Sequence, residues 1–170
     1  MLRRLGGNAG QLCAHTRREE ISVADFSMIT ARLATGAAIT SPDDVAALAA
    51  AGITDVIDCR GEFDDAPLLG PAFTYLWDGT ADDGQHKPPE WFGRGITFAL
   101  AALSQPRRKV YAHCAAGVNR GPSMAYSIMR ALGWPAADAE STIRAARPQV
   151  GLAYKNDADA AVVALGYSTP

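Results

Sequence analysis

The stretch that most constrains this chain is Lys109-Val110-Tyr111-Ala112-His113-Cys114-Ala115-Ala116-Gly117-Val118-Asn119-Arg120-Gly121-Pro122-Ser123. Val110 to Ala112 is a short apolar, β-prone run. Pro122 suits the first turn of a helix, where a missing N–H leaves nothing unsatisfied. A helical repeat follows at Met124, Ile128, Met129 and Leu132. The segment therefore reads as strand, loop and helix, with Cys-x5-Arg across the loop. A loop that closes on a helix N-terminus points its backbone N–H groups at one spot, and that spot attracts tetrahedral anions. Cys114 feels the same field and is expected to be an exposed thiolate, poised to attack phosphorus. Arg120 can hold two phosphate oxygens at once, a fork that Lys cannot reproduce. The loop amides of Ala115, Ala116, Gly117, Val118 and Asn119, together with Arg120, form the expected phosphate cradle. Gly117 supplies the free φ that a tight loop needs. His113 is expected to support the loop and the thiolate, not to act as a base.

Composition excludes several classes. A chain of 170 residues with 48% hydrophobic and 20% charged residues is long enough for one well-packed core. A net charge of −2 gives no general attraction to nucleic acid or anionic membrane. No apolar run approaches the length of a membrane span. Three cysteines, Cys13, Cys59 and Cys114, are too few and too odd for a disulfide scaffold, and a reducing, cytoplasmic setting fits a reactive thiolate. Residues 1–20 are rich in Gly, Arg and polar side chains and read as a poorly ordered lead-in, with residues 21–170 as a single domain. Cys13 and His15 have metal-ligand spacing, but no second pair matches them.

In chain order, Phe26 to Thr30 and Leu33 to Thr35 read as short strands of a hairpin, with Arg32 in the turn. Ser41-Pro42-Asp43-Asp44 opens a helix by capping, a first-turn Pro and acids at the positive end. Val45, Leu48 and Ala49 form its inner face, and Gly52 ends it. Thr54 to Asp58 is a buried-type strand, a step towards a parallel sheet. The following Cys59-Arg60-Gly61-Glu62-Phe63-Asp64-Asp65 lies at a strand's carboxyl end, where open α/β sheets bind ligands. Arg60 and Glu62 read as a structural ion pair. Cys59 reads as a small core residue, with a second role open as a redox partner of Cys114. Phe73 to Trp77 is the next strand. The polar loop from Asp78 to Pro89 then offers Asp78, Asp82 and Asp83, and transfer of a phosphoryl group to sulfur needs an acid for the leaving oxygen. Glu90 to Leu103 is an amphipathic helix with Trp91, Phe92, Ile96, Phe98 and Leu103 as core candidates. Arg107-Arg108-Lys109 reads as a solvated turn at the end of the sheet opposite Cys114. Helices over Pro135 to Ala146 and Asn156 to Leu165 close the chain.

His113-Cys114-x5-Arg120 resembles the signature loop of the cysteine-based protein tyrosine phosphatase superfamily. The order of elements from Ser27 to Leu165 is similar to its compact dual-specificity branch. The resemblance implies an α/β fold, a central and mostly parallel mixed sheet flanked by helices. It also implies hydrolysis of phosphotyrosine, and of phosphoserine and phosphothreonine, through a phosphocysteine, with no cofactor or metal. The expected partner is a phosphorylated protein or small phosphomonoester, and the expected state is a monomer. Asp82-Asp83-Gly84 resembles the family's general-acid loop, which puts Asp82 ahead of Asp83 and Asp78. Gly121 departs from the pattern, since the family usually has a hydroxyl there to help sulfur leave the phosphoenzyme. Plant glucan phosphatases similarly carry a non-hydroxyl residue before Pro. Three alternatives follow: a glucan or nucleotide-end phosphatase, a phosphate-binding pseudophosphatase, and a sulfur-transfer domain of rhodanese type.

Overall fold

A computed structural model describes residues 24–167. The 1–20 lead-in, with Cys13 and His15, lies outside the described residues. The hairpin forms as β1 (Phe26–Met28) and β2 (Leu33–Gly36), antiparallel, with the first strand shorter than its apolar run. Arg32 does more than turn the chain. Its guanidinium donates to the carbonyls of Leu103 and Gln105 at 2.9 and 3.0 Å.

Helix α1 (Pro42–Ala50) begins with a reciprocal capping box: Asp44 accepts the Ser41 N–H while the Ser41 hydroxyl accepts the Asp44 N–H. Strand β3 (Asp55–Arg60) is buried along its whole length. The short helix α2 (Ala66–Leu69) and a 3-10 turn (Gly70–Ala72) lead to β4 (Thr74–Thr80), and neither was legible in the sequence. Helix α3 (Pro89–Leu103), β5 (Val110–His113), α4 (Arg120–Ala131), α5 (Ala136–Ala146) and α6 (Lys155–Ala164) complete the fold.

Among the described residues, five strands lie in the order β1-β2-β5-β3-β4, and of these only β1 is antiparallel. The central position of β5 explains why Val110, Ala112 and His113 are completely buried. One core lies between the sheet and α3, α4, α5 and α6, and includes Trp91, Phe92, Ile96, Met124 and Ile128. A second core, with Leu48, Val56 and Tyr111, lies under α1 and α2. Phe98 only packs against the edge of the first, and Leu132, past the end of α4, is exposed. The basic turn is tied down more than expected. Arg108 pairs with buried Asp55, and the Lys109 ammonium donates to the Ala51 carbonyl at 2.8 Å. Among the described residues, no helix is long and apolar enough to cross a membrane.

Candidate active site

Parallel strands put three carboxyl ends at one edge of the sheet, and the candidate residues leave from them. Cys114 follows β5, the segment from Glu62 to Asp65 follows β3, and Asp82 follows β4. The loop from Cys114 to Asn119 has its carbonyls pinned outward. Ala115 O accepts the Ala38 N–H, and Val118 O accepts those of Gly151 and Leu152. Ala116 O and Gly117 O both accept from the Arg147 guanidinium, at 3.1 and 2.8 Å. Among the described residues, none of the N–H groups from Ala115 to Asn119 donates a hydrogen bond. Carbonyls held outside leave the amides facing the inside of the loop, as an anion nest requires. Gly117 has φ +63, and a Cβ there would strike the Gly36 backbone.

Arg120 opens α4 and is 3% exposed. Its two terminal nitrogens grip both oxygens of Glu62, at 2.8 and 2.9 Å, and Nη1 also donates to Thr80 O. The Arg120 hydrogen bonds pull the Glu62 carboxyl down to about 2. Arg120 Nε is buried and, among the described residues, has no hydrogen-bond partner. The end of the fork is thus used by Glu62, while the side edge keeps free donors for an anion. The expected Arg60–Glu62 pair does not form. Arg60 instead lies on Asp58 and Asp65, because a bidentate grip on buried Asp58 neutralises a charge that would otherwise be stranded.

Cys114 is 1% exposed, not open as the sequence reading had it, because it lies at the floor of the loop with its N–H on Gly36 O. His113 is fully buried with neither ring nitrogen hydrogen-bonded. Burial brings it down to about 4, and Nε2 faces Asp65 Oδ2 at 3.4 Å and Asp58 Oδ1 at 3.8 Å. Ligand atoms of Asp58, Asp65 and His113 lie within 4.8 Å of one another, a spacing that a metal ion could bridge. The Arg60 guanidinium already lies on both carboxylates, so an ion would have to displace it.

The three acids separate clearly. Asp82 Oδ2 lies 3.7 Å from Arg120 Nε, at the mouth of the loop. Asp83 turns away to Lys87, at 2.6 Å. Asp78 is buried against Arg94, at 2.7 Å, and burial raises its carboxyl. Gly121 lacks more than a hydroxyl: a Cβ would lie 2.7 Å from His113 Cα and 3.0 Å from Ala112 O. The Ser123 hydroxyl accepts the Tyr154 N–H at 3.3 Å. Arg147, 1% exposed and paired with Asp25, supports the loop, and nothing in its sequence neighbourhood announced that role.

No protein-family model matches the sequence, and no curated protein matches it. The fold is that of the compact dual-specificity branch of the cysteine-based protein tyrosine phosphatases. PTPMT1, solved in complex with PI(5)P, is similar at 17% identity and a TM-score of 0.69, over 83% of this chain and 99% of that one. Human DUSP28 gives 18% and 0.69, over 83% and 96%. The human tyrosine phosphatase-like serine/threonine/tyrosine-interacting protein gives 19% and 0.66, over 84% and 98%. Identities at this level speak for the fold.

Proposed function

We propose that the protein is a phosphatase that hydrolyses phosphomonoesters, phosphotyrosine first and phosphoserine or phosphothreonine with it, through a phosphocysteine. The observation that carries this reading is the cradle itself: five loop amides that, among the described residues, have no partner, around a buried Arg120 whose Nε has none either. Cys114 Sγ attacks phosphorus while the amides of Ala115, Ala116, Gly117, Val118 and Asn119, with Arg120, hold the phosphoryl oxygens. Fixed donors of this kind stabilise the spread charge of the transferring group. Asp82 gives a proton to the leaving oxygen and afterwards helps water attack the phosphoenzyme. His113 supports the loop.

The site favours one phosphate on a neutral or weakly charged carrier. Ala115, Ala116, Val118 and Asn119 add no positive charge, and Glu62 and Asp82 place acids beside Arg120. PTPMT1 was solved with PI(5)P, but a polyanionic inositol lipid would meet those acids here. The reading includes a monomer in a reducing, cytoplasmic setting, acting on phosphorylated proteins or small phosphomonoesters. Cys114→Ser should abolish turnover of an aryl phosphate while still binding vanadate. Turnover like that of the wild type would overturn the mechanism.

A second reading, a phosphate-binding pseudophosphatase, is favoured by one feature. Gly121, straight after Arg120, supplies no hydroxyl to the leaving sulfur. Trapping of a phosphocysteine after mixing with substrate separates the two, since a pure binder forms none.

A further inference from the structure

The segment from Arg147 to Tyr154 straps both halves of the site together. Arg147 holds the Ala116 and Gly117 carbonyls, and the Gly151 and Leu152 amides hold Val118 O. Leu152 takes φ +53, an uncommon conformation for a branched side chain, and it is 4% exposed. Two residues later Tyr154 enters the gap between α4 and the acid loop. It is 2% exposed, and its N–H meets Ser123 on α4.

We infer that Tyr154 positions Asp82 and decides which oxygen of that carboxyl carries the proton. The inference rests on Asp82 being the general acid. Two hydrogen bonds fix the direction of the Tyr154 hydroxyl. Its oxygen accepts the Gly84 N–H at 3.2 Å, and its hydrogen goes to Asp82 Oδ1 at 2.7 Å. Asn119 Nδ2 approaches the same Oδ1 at 3.5 Å. Oδ1 already accepts from these two donors, whereas Oδ2, 3.7 Å from Arg120 Nε, is beyond hydrogen-bond distance of it, so the acid proton belongs on Oδ2. As the Cys114–phosphorus bond forms and the phosphorus–oxygen bond breaks, the Oδ2 proton passes to the leaving oxygen. Asp82 is left as a carboxylate, and the bond from Tyr154 then becomes charge-assisted and stronger. Tyr154 keeps its own proton throughout, since burial and the adjacent Asp82 push the phenol up.

The ring is held as firmly as the hydroxyl. The Lys87 ammonium lies 4.8 Å from its centroid, and Lys87 N–H donates to Asp157 on α6. Tyr154→Phe therefore removes one hydroxyl and leaves the packing. The test compares kcat/KM for phenyl phosphate, a poor leaving group, with that for p-nitrophenyl phosphate, a good one. The ratio should fall about tenfold in Tyr154→Phe, and further in Asp82→Asn, with the double variant no worse than Asp82→Asn. A uniform loss on both substrates, an unchanged ratio, or additive effects would overturn the role of Tyr154 alone. An unchanged ratio in Asp82→Asn would overturn the acid assignment, and this inference with it.

Discussion

A side chain at Gly121 would have to displace the backbone of His113 and Ala112, the residues that set the position of Cys114. The missing hydroxyl and the missing room have opposite consequences for a Gly121→Ser variant. On the proposed mechanism, the added hydroxyl alone would speed release of sulfur from the phosphoenzyme. Sterics predict overpacking against β5, a cost of about 1–3 kcal/mol, and the contacts are to backbone, which cannot swing aside. We expect the steric effect to win: Gly121→Ser should melt lower and turn over more slowly than the wild type. Thermal unfolding and steady-state turnover measure both. The wild type should show a rapid burst of product followed by slower turnover, as expected where no hydroxyl assists the second step.

At the scale of elements, the register of β3 on β5 decides the second cysteine. Asp58 pairs with His113, the last pair of β3 and β5, so Cys59 on β3 and Cys114 just past the end of β5 are the next residues beyond it, and both belong to one core cluster. Neighbouring strands lie roughly 4.8 Å apart, within the roughly 4.4–6.8 Å that disulfide Cα atoms span. Among the described residues both thiols are free, and both are buried. Peroxide would convert Cys114 to a sulfenic acid, and attack by Cys59 would expel water and leave a disulfide. Burial pushes the Cys59 thiol well up, so the link should form faster as pH rises. Brief peroxide should inactivate the wild type reversibly and Cys59→Ser irreversibly. Recovery of Cys59→Ser on reduction, with no Cys59–Cys114 peptide in the wild type, would return Cys59 to a purely packing role.

For the molecule as a whole, His113 links stability to pH. Folded, its imidazole takes a proton only near pH 4; unfolded, near 6.5. Between those values the unfolded chain binds the extra proton. Acidification through that window therefore removes stability, on the order of 3 kcal/mol once pH falls below about 4. Asp65, raised by burial, binds its proton more readily when folded and works in the opposite sense. Comparison with His113→Asn isolates the imidazole. The gap in melting temperature between variant and wild type should be flat above pH 7 and should shift in the variant's favour from pH 6.5 towards 4. A constant gap over that range would mean that His113 is not neutral in the folded protein.

The strand, the loop and the start of α4 were legible because their chemistry is local. A nest of amides at a helix N-terminus, a glycine at its bend and an arginine at its close need only the stretch from Val110 to Ser123. Asp82 was one of three acids that the polar segment from Asp78 to Pro89 offered, and the structure places it beside Arg120. The partners of these groups were decided by the tertiary structure alone. Glu62 meets Arg120 across 58 residues, Arg147 meets Gly117 across 30, and Tyr154 meets Asp82 across 72. Arg60 and Glu62, two residues apart, suggested each other, yet β3 ends at Arg60 and the loop beyond it turns Glu62 to Arg120, while Arg60 stays on nearby Asp58 and Asp65. The exclusion of a side chain at Gly121 belongs to the same class, since it depends on how closely α4 approaches β5. Sequence spacing fixes chemistry that lies along the chain; only packing fixes which distant group stands behind each residue of the candidate site.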